Sequence, residues 1–290
     1  MVVVKLWGGL GNQLFQYFFG KFIAKERNIK VEYFFDNVLH NNTDKSILKL
    51  FNDIHVVEEK EVFKNNIIIK NKNIYRIFRK LNQLFPFLHR KVYIENNFFY
   101  KNKLPAKSNV FDGYWQSFRY LNNFNYEYDF EKHKKIFLYN SEYINLINSS
   151  NSVSLHIRRG DYLNSKNRKI YYNCDLDYYR KAINIISSKI SNPVFFIFSN
   201  DINWIRQEFM DLEGINKFFV DNSHSENSAI KDLFLMSSCK HQILANSTFS
   251  WWGAYLNPFI EKIVIAPKNW YNGNLNETTI DLIPPNWIRI

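Results

Sequence analysis

The segment Val153–Tyr162, VSLHIRRGDY, concentrates residue types that do chemistry. On a strand, Val153, Leu155 and Ile157 share one face, and Ser154, His156 and Arg158 share the other. The following loop carries Arg159, Gly160 and Asp161. A His and an Arg on an otherwise buried strand are costly without partners. A diphosphate ligand supplies them, because the guanidinium fork matches phosphate oxygens and neutralises charge on a departing nucleoside diphosphate. A structural network, with Arg158 or Arg159 paired to Asp161, accounts for the same residues equally well.

Two further junctions join a strand to a helix. WGGLGNQLFQ, Trp7 to Gln16, places Gly8, Gly9, Gly11, Asn12 and Gln13 where backbone N–H groups attract anions. It is not G-x-G-x-x-G and lacks the Lys of a phosphate-binding P-loop. A tight turn with Asn12 capping the helix is the plainer reading. ANSTFSWWGAY, Ala245 to Tyr255, offers Asn246, Ser247, Thr248 and Ser250 beside the orphan N–H groups of a helix start. That suits a phosphate, and equally a well-capped helix.

Asp232 opens the segment KDLFLMSSC, where its carboxylate can accept from the N–H edge of guanine or simply sit near a helix start. In FSND, Ser199 or Asp201 can contact a ribose, and Asp201 can equally cap the next helix. Asp175-Leu176-Asp177 spells the D-x-D of metal-dependent transferases, but it directly precedes a helical segment. Asp177 therefore reads as an N-cap, and no second carboxylate cluster completes a metal shell. No metal site is expected, and Arg158 and Arg159 can supply the electrostatics instead.

These residues need an α/β scaffold. Val2 to Leu6 reads as a strand, Leu14 to Ile23 has helical spacing, and Lys30 to Phe34 reads as a second strand. Residues 40 to 130 are rich in Asn and Lys and read as short helices and loops. Past the polar turn NSSNS, strands at Ser152–Ile157, Pro193–Phe198, Lys217–Val220, Gln242–Ala245 and Lys262–Ala266 alternate with helices at Asp177–Lys189, Ile202–Met210, Ser228–Ser238 and Thr248–Leu256. Strict alternation predicts a parallel sheet with ligands beyond its C-terminal strand ends. The expected domains are 1–150 on the acceptor side and 151–290 on the nucleotide side, facing across a cleft.

The chain has 290 residues, enough for two domains, and 18% aromatic content excludes a disordered class. The net charge of +11 attracts anions without choosing among them. Tyr75 to Val92 interleaves Arg76, Arg79, Lys80, Arg90 and Lys91 with apolar residues. The favoured reading is a surface helix packed on the core and broken by Pro86, and the alternative is contact with an anionic membrane surface. Cys174 and Cys239 allow at most one disulfide and read as buried free thiols of a reducing compartment. Trp7, Gly8 and Gly9 interrupt the leading apolar run, so no signal peptide is expected. No stretch has transmembrane length. A cytoplasmic protein is predicted, with peripheral contact to the inner membrane face as one reading.

HIRRGDY at 156–162, GGLGNQLFQY at 8–17, FSND at 198–201 and NSTFSWWGAYL at 246–256 together resemble the hallmark segments of the α-1,2-fucosyltransferases of glycosyltransferase family 11. The likeness runs from residue 8 to about residue 270. It implies a GT-B-like fold of two Rossmann-like domains, GDP-β-L-fucose as donor, inversion at the anomeric carbon, and neither metal nor cofactor. By that resemblance Arg158 grips the diphosphate, with Arg159 and the backbone near His156 lining the same site. Asp232 reads guanine, and Ser247, Thr248 and Ser250 form a hydroxyl cluster on the phosphate side. Gly9, Gly11, Asn12 and Gln13 form the N-terminal loop.

The expected reaction is a single displacement by an acceptor hydroxyl, with Asp161 as first and His156 as second candidate for the base. The acceptor implied is a galactose-terminated surface glycan. The runner-up is a fucosyltransferase of another linkage or one acting on protein. A non-enzymatic nucleic-acid binder is the distant alternative: charge and aromatics permit it, but no RNA-binding signature is present.

Overall fold

The computed structural model describes residues 2–36, 45–58, 72–85, 91–121, 130, 134, 137, 142–159, 167–208, 214–222 and 224–290, and of residues 72–76 and 83 the backbone alone. The chain forms two compact units. The first is Met1–Phe124 with Thr278–Leu282, and the second is Asn125–Glu277 with Ile283–Ile290.

The first unit is built on strands β1 (Val2–Leu6), β2 (Val31–Phe35), β3 (Val92–Ile94) and β4 (Val110–Asp112), in the order β2-β1-β4-β3. All three pairings are parallel. Helix α1 (Leu10–Arg27) packs on β1 and β2, burying Leu14, Phe15, Phe18, Phe19 and Ile23. Asn28 in the left-handed conformation ends it. Gly20 lets the helix approach the sheet, since a Cβ there would sit 2.3 Å from the Tyr33 hydroxyl. Helix α2 (Lys72–Leu84) lies against β3.

The stretch expected to hold only short helices and loops thus contains one helix of 13 residues and two sheet strands. The strands are three residues each, too short to show a period. β4 is held by register to the buried β1, and β3 in turn to β4, rather than by a pattern of their own.

The second unit has six parallel strands, β5 (Asn151–Ile157), β6 (Pro193–Ser199), β7 (Asn216–Phe219), β8 (His241–Ile243), β9 (Val264–Ala266) and β10 (Ile288–Arg289). Their order is β10-β9-β8-β5-β6-β7. β5 is central, flanked by β6 and β8, so its C-terminal end lies at the switch point of the sheet. Helices α3 (Glu142–Asn148), α4 (Leu176–Lys189), α5 (Ile202–Glu208), α6 (Ser228–Ser238) and α7 (Thr248–Tyr255) alternate with the strands. Val153, Leu155 and Ile157 of β5 pack with Tyr178, Tyr179, Ala182, Ile183 and Ile186 of α4, and with Phe195 and Ile197 of β6. Full burial of each such aliphatic side chain is worth about 1.5–3 kcal/mol.

This unit begins before the alternating pattern does. Phe130 and Phe137 meet Phe234 of α6, and the Tyr143 hydroxyl donates to the Phe219 carbonyl, so these residues ahead of β5 pack with the second unit. One helix start is corrected. Asp175, not Asp177, is the N-cap of α4, its Oδ1 accepting the Tyr178 N–H at 2.9 Å. Asp177 lies in the first turn, 3.4 Å from Arg180.

Candidate functional site

Strand β5 delivers His156, Arg158 and Arg159 to the C-terminal edge of the second sheet. Ile157 is the last residue paired in the ladder, beside Ser199 of β6. The Tyr179 hydroxyl closes this end from below. It donates to the His156 carbonyl at 3.3 Å and accepts the backbone N–H of Arg158. Tyr179 is buried on α4, so a rigid helix fixes where the arginines leave the sheet.

Arg159 is held from the side by the loop after β6. Its guanidinium carbon stands 3.5 Å from the centre of the Trp204 ring. Its Nε is 3.9 Å from Asp201, and its backbone N–H donates to Asn200 Oδ1 at 3.1 Å. Among the described residues this half-exposed cation has only a weak ion pair, which leaves N–H edges for an anion. Arg158, also half-buried, leaves the strand beside it. Asp161, the partner in the alternative network and the first candidate base, lies outside the described residues.

His156 is buried, and its pKa is pushed down to about 3, first by loss of solvation and then by the charge of Arg158. It is neutral at physiological pH, and its Nδ1 has no hydrogen-bond partner among the described residues. A group that titrates so low is a weak proton acceptor near pH 7.

The serine-rich junction divides into brace and edge. Asn246 is buried, and its Nδ2 donates to the carbonyls of Tyr172 and Trp270. Its Oδ1 faces the Cys174 thiol at 3.8 Å. Cys174 is in turn hydrogen-bonded to Tyr179, so one buried chain joins this junction to the end of β5. The Ser250 hydroxyl is buried and donates to the carbonyls of Ala245 and Ser247. Ser247 caps α7, its Oγ accepting the Phe249 N–H at 3.3 Å. Thr248, at the first position of the helix, is half-buried. Ser247 and Thr248 thus mark the N-terminal end of α7, while Asn246 and Ser250 hold the junction together.

The other candidates sit around this sheet edge. Ser199 Oγ accepts the Asp201 N–H at 3.0 Å, and Asp201 Oδ1 accepts the Trp204 N–H at 3.4 Å, which places Asp201 as cap of α5. Asp232 on α6 accepts from Asn222 Nδ2 at 2.7 Å. Burial raises its pKa to about 6, and Asp221 adds to the rise.

The glycine loop belongs to the first unit. Gly9 is the N-cap of α1 without a side-chain bond, so Asn12 does not cap the helix. Asn12 Oδ1 instead accepts from Gln116 Nε2 at 3.1 Å. Gln13 Nε2 donates to the Gly8 carbonyl at 2.8 Å, and Gln16 bridges the Trp7 N–H and the Gly113 carbonyl. Gly8 has φ +78°, and a Cβ there would meet Asn12 Nδ2 at 2.7 Å. Gly11 is buried in the first turn.

Beside this loop Glu95 accepts the N–H groups of Tyr114 and Trp115 on one oxygen, at 2.6 and 3.1 Å. It thereby holds Trp115 at φ +56°, stacked 3.7 Å from Phe19. No group of three His, Cys, Asp or Glu suited to hold a metal ion is found among the described residues.

A family model described as glycosyl transferase family 11 matches residues 1–290, the whole chain. The chain belongs to glycosyl transferase family 11. Among its relatives are two Escherichia coli proteins, each 34% identical. One is the O-antigen biosynthesis glycosyltransferase WbnK, aligned over 98% of this chain and 99% of the relative. The other is an alpha-1,2-colitosyltransferase, aligned over 100% and 99%. A galactoside alpha-(1,2)-fucosyltransferase 2 of Rattus norvegicus is 35% identical over 37% of this chain and 30% of its own.

In fold, the family-11 chain resembles fucosyltransferase NodZ from Bradyrhizobium, with a TM-score of 0.50, 12% identity, and coverage of 89% of this chain and 92% of that one. The architecture is GT-B-like, two Rossmann-like units built on parallel sheets. The protein is a glycosyltransferase.

Two residues of the β5 end, Trp204 and Tyr179, were not singled out from sequence. They are remote from the arginine segment along the chain and carry no motif of their own, while Asn200 lay within FSND without a role and Cys174 was read only as a buried free thiol. The nearest available signal was a Trp three residues after FSND, in the first turn of α5.

Proposed function

We propose that this transferase moves L-fucose from GDP-β-L-fucose to the 2-hydroxyl of a terminal β-galactose on a surface glycan, with inversion and without a metal. The observation that carries the reading is the pair Arg158 and Arg159 at the mouth of the central strand, with Arg159 set between Trp204 and Asp201. Two guanidinium groups there match the charge that a nucleoside diphosphate develops as it leaves. The N-terminal end of α7, with Ser247 and Thr248, adds donors on the phosphate side. Asp232 accepts from the guanine edge, and Ser199 or Asp201 from the ribose.

The acceptor oxygen attacks the anomeric carbon from the face opposite the diphosphate, the C–O bond to GDP breaks, and the hydroxyl proton passes to a base. Asp161 is the proposed base, since it follows the two arginines on the same loop, with His156 as second candidate. The relatives active in O-antigen synthesis and in 1,2-linked transfer support a surface glycan and this linkage.

A second reading keeps the site and changes the sugar. The colitosyltransferase relative aligns over the full chain, so colitose is the competing donor sugar. Transfer assays with GDP-fucose and GDP-colitose, in chelator, onto galactose-terminated oligosaccharides decide between them. An α-1,2-fucoside as the main product supports the first reading. Turnover with GDP-colitose alone replaces it with the second, and turnover with neither removes both.

A further inference from the structure

Helix α2 presents two different apolar faces. Its inward face is accounted for: Phe78 and Asn82 are buried, and Arg79 reaches Asp112 at 3.7 Å and overlies the Trp7 ring. The outward face carries Ile77, Leu81 and Leu84, which are 59%, 45% and 71% exposed. Their spacing of four and three residues puts them on one line of the helix. A surface helix that already has a core face normally shows polar residues on its other side. This one shows three large aliphatic side chains, with exposed Lys80 beside them and exposed Lys91 at the start of β3.

The sequence around this helix carries charge of one sign. Between Glu61 and Glu95 the sequence contains Lys64, Lys70, Lys72, Arg76, Arg79, Lys80, Arg90 and Lys91, and no Asp or Glu. A protein partner made of ordinary mixed-charge surface gains nothing from such a bias. An anionic bilayer does, because it offers negative headgroups at its rim and hydrocarbon a few ångströms below. No helix among the described residues is long and apolar enough to cross a membrane, so the contact suited to this face is interfacial.

We infer that the outer face of α2 docks this enzyme on an anionic lipid surface. Ile77, Leu81 and Leu84 enter the headgroup boundary, and exposed Lys80 pairs with lipid phosphates. This inference does not depend on the identity of the donor sugar.

The test is co-sedimentation of the full chain with vesicles rich in phosphatidylglycerol and with vesicles of pure phosphatidylcholine, at low and high salt. The variants are the triple substitution Ile77→Gln, Leu81→Gln, Leu84→Gln and the single substitution Lys80→Glu. All four positions are exposed, so both variants should fold, and circular dichroism with GDP binding checks this. The wild type should bind the phosphatidylglycerol vesicles selectively and release at high salt. Each variant should lose about tenfold or more in lipid affinity. Equal binding to both vesicle types, no binding to either, or wild-type binding by the triple variant overturns the inference. So does a lipid-free dimer in sedimentation velocity that the triple substitution disperses, since the face then pairs with a second copy.

Discussion

The Arg159 guanidinium carbon lies 3.5 Å from the centre of the Trp204 ring, closer than the 3.9 Å from its Nε to Asp201. The ring, not the carboxylate, therefore sets where this cation points. Cation–π contacts of this kind are worth about 0.5–2 kcal/mol. Trp204→Ala should lower kcat/KM for the donor by about three- to thirtyfold, and Trp204→Phe by less. Steady-state kinetics with donor varied would check this. An unchanged donor KM and kcat in Trp204→Ala would mean that Arg159 is not positioned by the ring.

Tyr179 supplies the second support of the arginine loop. Tyr179→Phe takes a donor from the buried His156 carbonyl and an acceptor from the Arg158 N–H. An unmet buried polar group costs about 1–3 kcal/mol, so denaturant unfolding should show a loss of that order. Because the loosened residue is Arg158, donor affinity should fall as well, while acceptor KM stays constant. A loss of stability with donor affinity intact would reduce Tyr179 to a packing residue.

Asp232 gives a pH signature. Burial holds its pKa near 6, so below that pH the carboxylate is protonated and cannot accept from guanine N–H groups. GDP affinity should therefore rise as pH increases from 5 to 7, and Asp232→Asn should lose that part of the rise. The nucleotide's own phosphate titrates in both proteins, so the difference between them isolates the carboxylate. Parallel pH profiles from calorimetric titration would remove Asp232 from the guanine site.

Glu95 gives a signature in stability instead. Burial raises its pKa to about 7, against the bonds from Trp115 and Tyr114 and the attraction of Lys101. The folded state then holds a proton that the unfolded chain releases near pH 4.5. Stability contributed by this group is present at low pH and lost as pH rises from about 4.5 through 7. Glu95→Gln keeps an acceptor for both N–H groups and removes the titration. Its urea midpoint should vary less with pH in that window than the wild type's. An equal slope in both proteins would place the titrating group elsewhere.

The second unit was legible because its strands and helices announce themselves. β5 and β6 have seven residues each, and α4 to α7 follow turns rich in Asn, Asp and Ser. β3, β4 and β10 were not: two or three residues show no alternation, and unlike the equally short β8 and β9 they do not stand within the strand–helix series. Their strand character comes from the neighbour they pair with. At the site, the sequence singled out the β5 end and the α7 junction but could not separate groups at the sheet edge from buried braces. Asn246 and Thr248 stand in one polar run, yet Asn246 is consumed by the carbonyls of Tyr172 and Trp270. The Arg159–Trp204 contact depends on how β5 and β6 lie side by side, and only the register fixes that.

Calorimetric titration of GDP into the wild type and Arg158→Ala, both in excess chelator, tests the central claim most directly. The claim predicts full affinity for the wild type without metal, and a loss of about a hundredfold or more in the variant, as expected for removing a charge-assisted bidentate contact with a desolvated phosphate. Equal affinity in the two proteins, or wild-type binding that vanishes in chelator and returns with a divalent cation, would contradict it.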